Sequence, residues 1–206
     1  MDLRNLIDTH LDLPQLSKVL DELGTEGRVW SVRQWTRAHQ AKLWEAVKGL
    51  RAITLDDFVP SSVEPLVPVI HHGQNSLPMH THFQKRFAKL PDRAPESADA
   101  GGGNGAKLVG YNEQTLAAFS GPGYFMVHPS SEAGEVDIDY TMVPTIKPAS
   151  WPTIVPNSVR LAPVIYGGMV DVMRGVSSHV TIGRARRKHG WMDNWFVLVR
   201  EDPKPA

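Results

Sequence analysis

Apolar residues recur at helical spacing through the first part of the chain, and after Gly123 the period falls to two. Asp12, followed three residues later by Gln15, predicts the cap of a helix with Leu13, Leu16, Leu20 and Leu23 on one face and Gly24 as its stop. Ser31 and Gln34 have the same capping-box spacing, with Trp30 and Trp35 at the flanking staple positions. Val32, Trp35, Leu43, Ala46, Val47 and Leu50 then form a stripe, so both tryptophans are read as core or anchor residues. A third helix is expected from Thr81, capped with Gln84. It would bury Phe83, Phe87 and Leu90 and turn Lys85, Arg86 and Lys89 to the opposite side before Pro91 ends it. The small-residue segment from Ala94 to Ala106, with four glycines, offers little to bury and reads as a surface loop. A further helical turn or two is expected between Asn112 and Phe119.

The strand signals come in close succession. Tyr124 to Val127 is one, and Val136, Ile138, Tyr140 and Met142 alternate with Asp137, Asp139 and Thr141 to give a second. Others are Val159 to Tyr166, Met169 to Met173, Val180 to Gly183 and the continuous apolar run Trp195 to Val199, which suits a strand covered on both faces. Arg187 to Gly190 reads as a hairpin turn. Helices first and strands afterwards is the α+β pattern. The expectation is one domain over residues 1–206, with a helical layer and loops over 1–120 packed on an antiparallel sheet over 121–202 that closes wholly or partly into a barrel.

Prolines at 144, 148, 152 and 156 interrupt this rhythm. The segment is either an extended wrap around the sheet with Trp151 in a groove, or an exposed ligand for an aromatic groove on a partner protein.

Composition narrows the function classes. The 206 residues hold 22 basic and 22 acidic side chains, giving a formal net charge of +0, and no cysteine. Neutrality removes the usual electrostatic reason for binding nucleic acid. The missing thiols exclude disulfides, thiolate metal sites and a cysteine nucleophile. Met1 to Leu13 lacks the basic start and apolar run of a secretory signal, and no apolar run approaches the roughly 18–20 residues of a membrane helix. A cytoplasmic protein without a membrane span is therefore expected.

Two constellations carry candidate chemistry. His71, His72, His80 and His82 fall within twelve residues, and imidazole is a common ligand for transition metals. The bland alternative is a polar loop whose histidines hydrogen-bond to backbone. The second constellation is a segregation of charge. Glu132, Glu135, Asp137 and Asp139 form an acidic block, and Arg160, Arg174, Arg184, Arg186, Arg187 and Lys188 form a basic one around the single acid Asp171. Cross-strand pairing of the two blocks predicts which strands are neighbours. The sharper alternative puts Asp137 and Asp139 in a cavity with His179 and Arg184 for acid–base work. Nucleophile-elbow and P-loop signatures are absent.

The reading that follows is non-enzymatic binding of a small hydrophobic or amphipathic molecule in a sheet or barrel pocket. Candidate pocket residues are Tyr124, Tyr140, Trp151, Tyr166, Trp191 and Trp195, with His179 or Arg184 as polar anchor. The alternatives are a metal-dependent enzyme built on the four histidines and an interaction module presenting the Pro144–Pro156 segment.

Overall fold

A computed structural model describes residues 2–8, 11–77, 81–92, 94, 108–113, 122–155 and 168–202. Four short helices come first: α1 (Arg4–Asp8), α2 (Leu13–Glu22), α3 (Thr25–Arg33) and α4 (Arg37–Ala46). The Asp12 carboxylate accepts the Gln15 N–H at 3.0 Å, as the spacing predicts, and α2 buries Leu16 and Leu20. The second expected helix is instead two. Ser31 lies inside α3, and the working cap is Thr36, whose hydroxyl accepts the His39 N–H while His39 Nδ1 accepts the Thr36 N–H at 2.9 Å. That reciprocal pair satisfies two backbone donors and fixes a break in the stripe between the helices. Trp35 is buried, whereas Trp30 is 67% exposed and so is not a core residue.

Eight antiparallel strands follow and close into a barrel in simple sequence order, with β8 pairing back onto β1. They are β1 (Val69–Asn75), β2 (His82–Lys89), β3 (Leu108–Glu113), β4 (Tyr124–Pro129), β5 (Val136–Asp139), β6 (Val170–Gly175), β7 (Val180–Arg187) and β8 (Gly190–Arg200). Closure leaves no sheet edge exposed. The helix expected at Thr81 is strand β2, and Asn112 lies in β3 rather than at a helix start, so three barrel strands come from the stretch expected to be mainly helical. Phe83 and Phe87 fit either period. The residue between them that points the same way is Lys85, and an inward lysine hides the alternation. The expected strand Val159 to Tyr166 lies outside the described residues.

Register separates the apolar residues into three groups. Inside the barrel, Phe87, Leu108, Phe125, Val127, Val136, Ile138, Tyr140, Met173, Phe196 and Leu198 form one core. Ile53, Phe58 and Val59, beside the 3₁₀ turn Leu55–Asp57, join it from the end where β2–β3, β4–β5 and β6–β7 connect, and so plug that end. On the outside, Val172, Val180, Ile182, Trp195, Val197 and Val199 meet the helices. A separate outer patch of Val109, Tyr111, Tyr124 and Met126 is covered by Trp151. Strand β8 is thus apolar on both faces, which explains the unbroken run before Arg200.

The charge blocks do meet. Arg174 Nε donates to Glu135 Oε1 at 2.7 Å, both buried, and Arg186 Nη2 donates to Asp137 Oδ2 at 2.8 Å. Arg174 also ties the helical layer down, donating to the Trp44 carbonyl at 2.8 Å with its guanidinium 3.7 Å from that ring's centroid. Among the described residues no helix is long and apolar enough to cross a membrane.

Candidate functional site

The barrel interior holds one conspicuous polar centre. Because side chains alternate along a strand, the register that points Phe83 and Phe87 inward also points Lys85 inward, opposite His71 on β1 and Asn112 on β3. Its side chain is 3% exposed, and among the described residues no other lysine is buried. Lys85 Nζ donates to Asn112 Oδ1 at 2.9 Å, to Asp171 Oδ2 at 3.2 Å and to the Tyr140 hydroxyl. Asn112 Nδ2 donates to the same hydroxyl at 2.9 Å, which closes the network. The rings of Tyr140, Phe125, Phe196 and Phe83 surround the nitrogen with centroids 4.9, 5.1, 5.2 and 5.7 Å away.

The rings reach that position because of glycine. Gly73, Gly110 and Gly183 face inward directly opposite Phe83, Phe125 and Phe196 on the adjacent strands, and each ring lies against the bare backbone. Burial pushes the Lys85 amine down from its ordinary value and the Asp171 carboxyl up. Desolvation disfavours the charged form of each, against the attraction between them. A proton therefore passes from the amine to the carboxyl at less cost here than in water. Cationic or neutral, a polar cluster of this kind is expensive to enclose in an apolar barrel and is the sort of perturbed pair found where chemistry or recognition occurs.

Below this layer, toward the plugged end, His71 sits between Phe58 and Phe87, with ring centroids 5.7 and 4.5 Å away, and its Nε2 bonds to the Phe58 carbonyl at 2.9 Å. Burial, opposed by that bond, drives its pKa from 6.5 down to about 3. Between those limits the unfolded chain takes up a proton that the folded one refuses, so stability falls as pH drops from 6.5 toward 3. Urea midpoints across that window should fall more steeply for the wild-type protein than for His71→Gln. The difference should reach up to roughly 1.4 kcal/mol per pH unit, and parallel curves would show that His71 is not the group responsible.

Of the four histidines considered as metal ligands, the three described, His71, His72 and His82, do not come together. His71 and His72 are consecutive on β1 and point to opposite faces, and His72 Nε2 bonds to Glu201 Oε1 at 2.8 Å outside the barrel. His82 is exposed at the start of β2, and His80 lies outside the described residues. Among the described residues no group of three histidine or carboxylate side chains could hold a metal ion.

Of the residues considered for a ligand pocket, Tyr140 is in the interior centre. Tyr124 and Trp151 pack together on the outer wall, where the Tyr124 hydroxyl donates to the Pro152 carbonyl at 2.5 Å. The apolar side chains of the described part of the proline segment, Val143, Ile146, Trp151 and Ile154, pack in that outer cluster. Trp191, Trp195 and Arg184 form an outer-wall stack, with the guanidinium 5.5 and 5.0 Å from the two indoles. His179 lies in the β6–β7 connection at the plugged end, near Asp21 and Asp202. Tyr166 is outside the described residues. Asp137 and Asp139 do not meet His179 and Arg184: the first pairs with Arg186, and the second lies 3.6 Å from His128. Burial raises the Asp139 carboxyl, but bonds to His128 and Thr141 outweigh it and hold the group below its usual value.

A cleft of about 370 Å³ opens at the plugged end, lined by Arg51, Asp56, Asp57, Ser178 and Arg200 among others. Both of its arginines are engaged by the protein itself. Arg51 pairs with Asp57 at 2.5 Å, and Arg200 donates to the Asp56 and Ser178 carbonyls at 3.0 and 3.2 Å. These bonds hold the plug against β8.

The fold and site thus define an eight-stranded up-and-down barrel, plugged at one end and carrying an amine–carboxyl–phenol–amide centre inside. No known protein family, curated protein or solved structure matches the chain.

Proposed function

We propose that the barrel binds a small amphipathic molecule. Its polar group would lie on the Lys85, Asn112, Tyr140 and Asp171 centre, and its apolar body against Phe83, Phe125 and Phe196. The observation that carries this reading is the enclosed Lys85 amine, ringed by four aromatic side chains in a barrel whose other interior positions are mostly apolar. A core selected for stability alone has little use for such a group, since an apolar side chain of similar volume is often neutral or better. An eight-stranded barrel is also about the size that holds one small ligand. Dispersion and ring faces would hold the ligand body, and the polar centre would fix its orientation.

Native mass spectrometry of the freshly purified chain, with cinnamyl alcohol added as a neutral amphipathic probe, tests the reading. The expected result is one bound molecule per chain. Tyr140→Phe, which removes one hydroxyl and keeps the ring, should weaken it by roughly tenfold, the equivalent of one hydrogen bond to a charged or desolvated group. A chain that carries no small molecule and does not take up the probe would overturn the proposal.

A further inference from the structure

We infer that Lys85 is a nucleophile that holds a carbonyl-bearing ligand, an aldehyde or ketone, as a reversible imine. This rests on the ligand-binding reading above and names the ligand class for the same site.

Charge balance favours a carbonyl over an anion. Lys85 already has its counter-charge in Asp171, 3.2 Å away, with both side chains no more than 4% exposed. A carboxylate or phosphate head brought to the amine would leave the enclosed centre with one uncompensated negative charge, which costs several kcal/mol. A neutral carbonyl leaves it neutral. The groups around the nitrogen are also those that imine formation needs. Lys85 Nζ and Asp171 Oδ2 lie 3.2 Å apart, and burial lowers the amine's hold on its proton while raising the carboxyl's, so one proton transfer between them yields a lone pair beside a proton donor. Asn112 and the Tyr140 hydroxyl both accept from the amine and hold it in place, and Tyr140 also bonds to the Asp171 carboxyl.

The step balances without any further reagent. The Nζ lone pair forms a bond to the carbonyl carbon while the carbonyl oxygen takes the Asp171 proton, and a nitrogen proton returns to the carboxylate. The resulting carbinolamine loses its hydroxyl, which takes that proton again and leaves as water, as the C=N bond forms. The remaining nitrogen proton returns to the Asp171 carboxylate or stays on an iminium paired with it. Nothing is oxidised or reduced. The ring of aromatic side chains keeps bulk water from the product and so slows the reverse hydrolysis.

The test incubates the full chain with cinnamaldehyde and sodium cyanoborohydride, which reduces an imine to a stable secondary amine, and maps the adduct by peptide mass spectrometry. The expected result is a single adduct at Lys85, formed at least roughly tenfold faster than at exposed lysines such as Lys42 and Lys48. Lys85→Arg keeps a cation beside Asp171 but cannot form an imine, so it should lose the adduct. Labelling confined to exposed lysines while cinnamyl alcohol binds the wild-type chain overturns the imine and leaves the ligand site standing. Failure of both probes overturns both. Should Lys85→Arg not fold, the wild-type adduct map decides alone.

Discussion

Gly110→Ala is expected to destabilise the protein by roughly 3 kcal/mol or more, a severe loss for a change of one methyl group. A Cβ at Gly110 would lie 2.3 Å from the Phe125 ring and 2.5 Å from the Arg86 carbonyl oxygen. The ring could tilt, but the carbonyl belongs to the β2–β3 ladder and cannot move without breaking it. Gly73 differs in a way that makes the argument testable. The three atoms nearest its added Cβ all belong to the Phe83 ring, at 2.4 to 2.5 Å. Gly73→Ala combined with Phe83→Leu should therefore recover most of what the single substitution loses, whereas Gly110→Ala with Phe125→Leu should not. Urea midpoints of the four variants decide the matter. An unchanged midpoint for Gly110→Ala, or full recovery in its double variant, would refute the steric account.

Asp171→Ala should cost up to about 3–5 kcal/mol, because it leaves the Lys85 amine enclosed without the carboxyl that accepts from it, less what the amine regains by giving up its proton. Lys85→Met strands the Asp171 carboxyl instead. Burial already raises that group, so it can take up a proton, and the loss should be smaller and should shrink further in acid. The double variant Lys85→Met with Asp171→Leu removes both polar groups from the aromatic surround. It should be more stable than either single variant, a coupling that chemical denaturation measures as a double-mutant cycle. Strictly additive losses would show that the two groups do not act as a pair. The double variant also separates stability from recognition: it should fold well and no longer bind the probe.

Where a local rule and the tertiary environment agree, the sequence is readable. Asp12 caps α2 because its carboxylate and the Gln15 N–H are brought together by the helix itself. The strands from β4 onward follow from short apolar runs or alternation, and the expected pairing of acidic with basic blocks is met by Arg174 with Glu135 and Arg186 with Asp137. Strand β2 was hidden because its central inward residue is a lysine, so the helical stripe of Phe83 and Phe87 looked the better period. The alternation Phe83, Lys85, Phe87 against Gln84 and Arg86 was the available signal, and reading it required accepting a charged group inside. The same applies to the glycines, whose role depends on which phenylalanine sits across the ladder.

By itself the sequence determined the helical start, the later strands and the α+β class, since each rests on periodicity or charge within a short stretch of chain. Only the tertiary structure decided that the sheet closes fully and that the barrel draws three strands from residues 1–120. Only it turned most of the aromatic candidates to the outer wall and gathered Lys85, Asn112, Tyr140 and Asp171 at one point. The physical reason is the two-residue pleat. One register choice sends every second side chain inward or outward, and that choice is made by pairing between strands far apart in the chain, not by the residues of any strand alone.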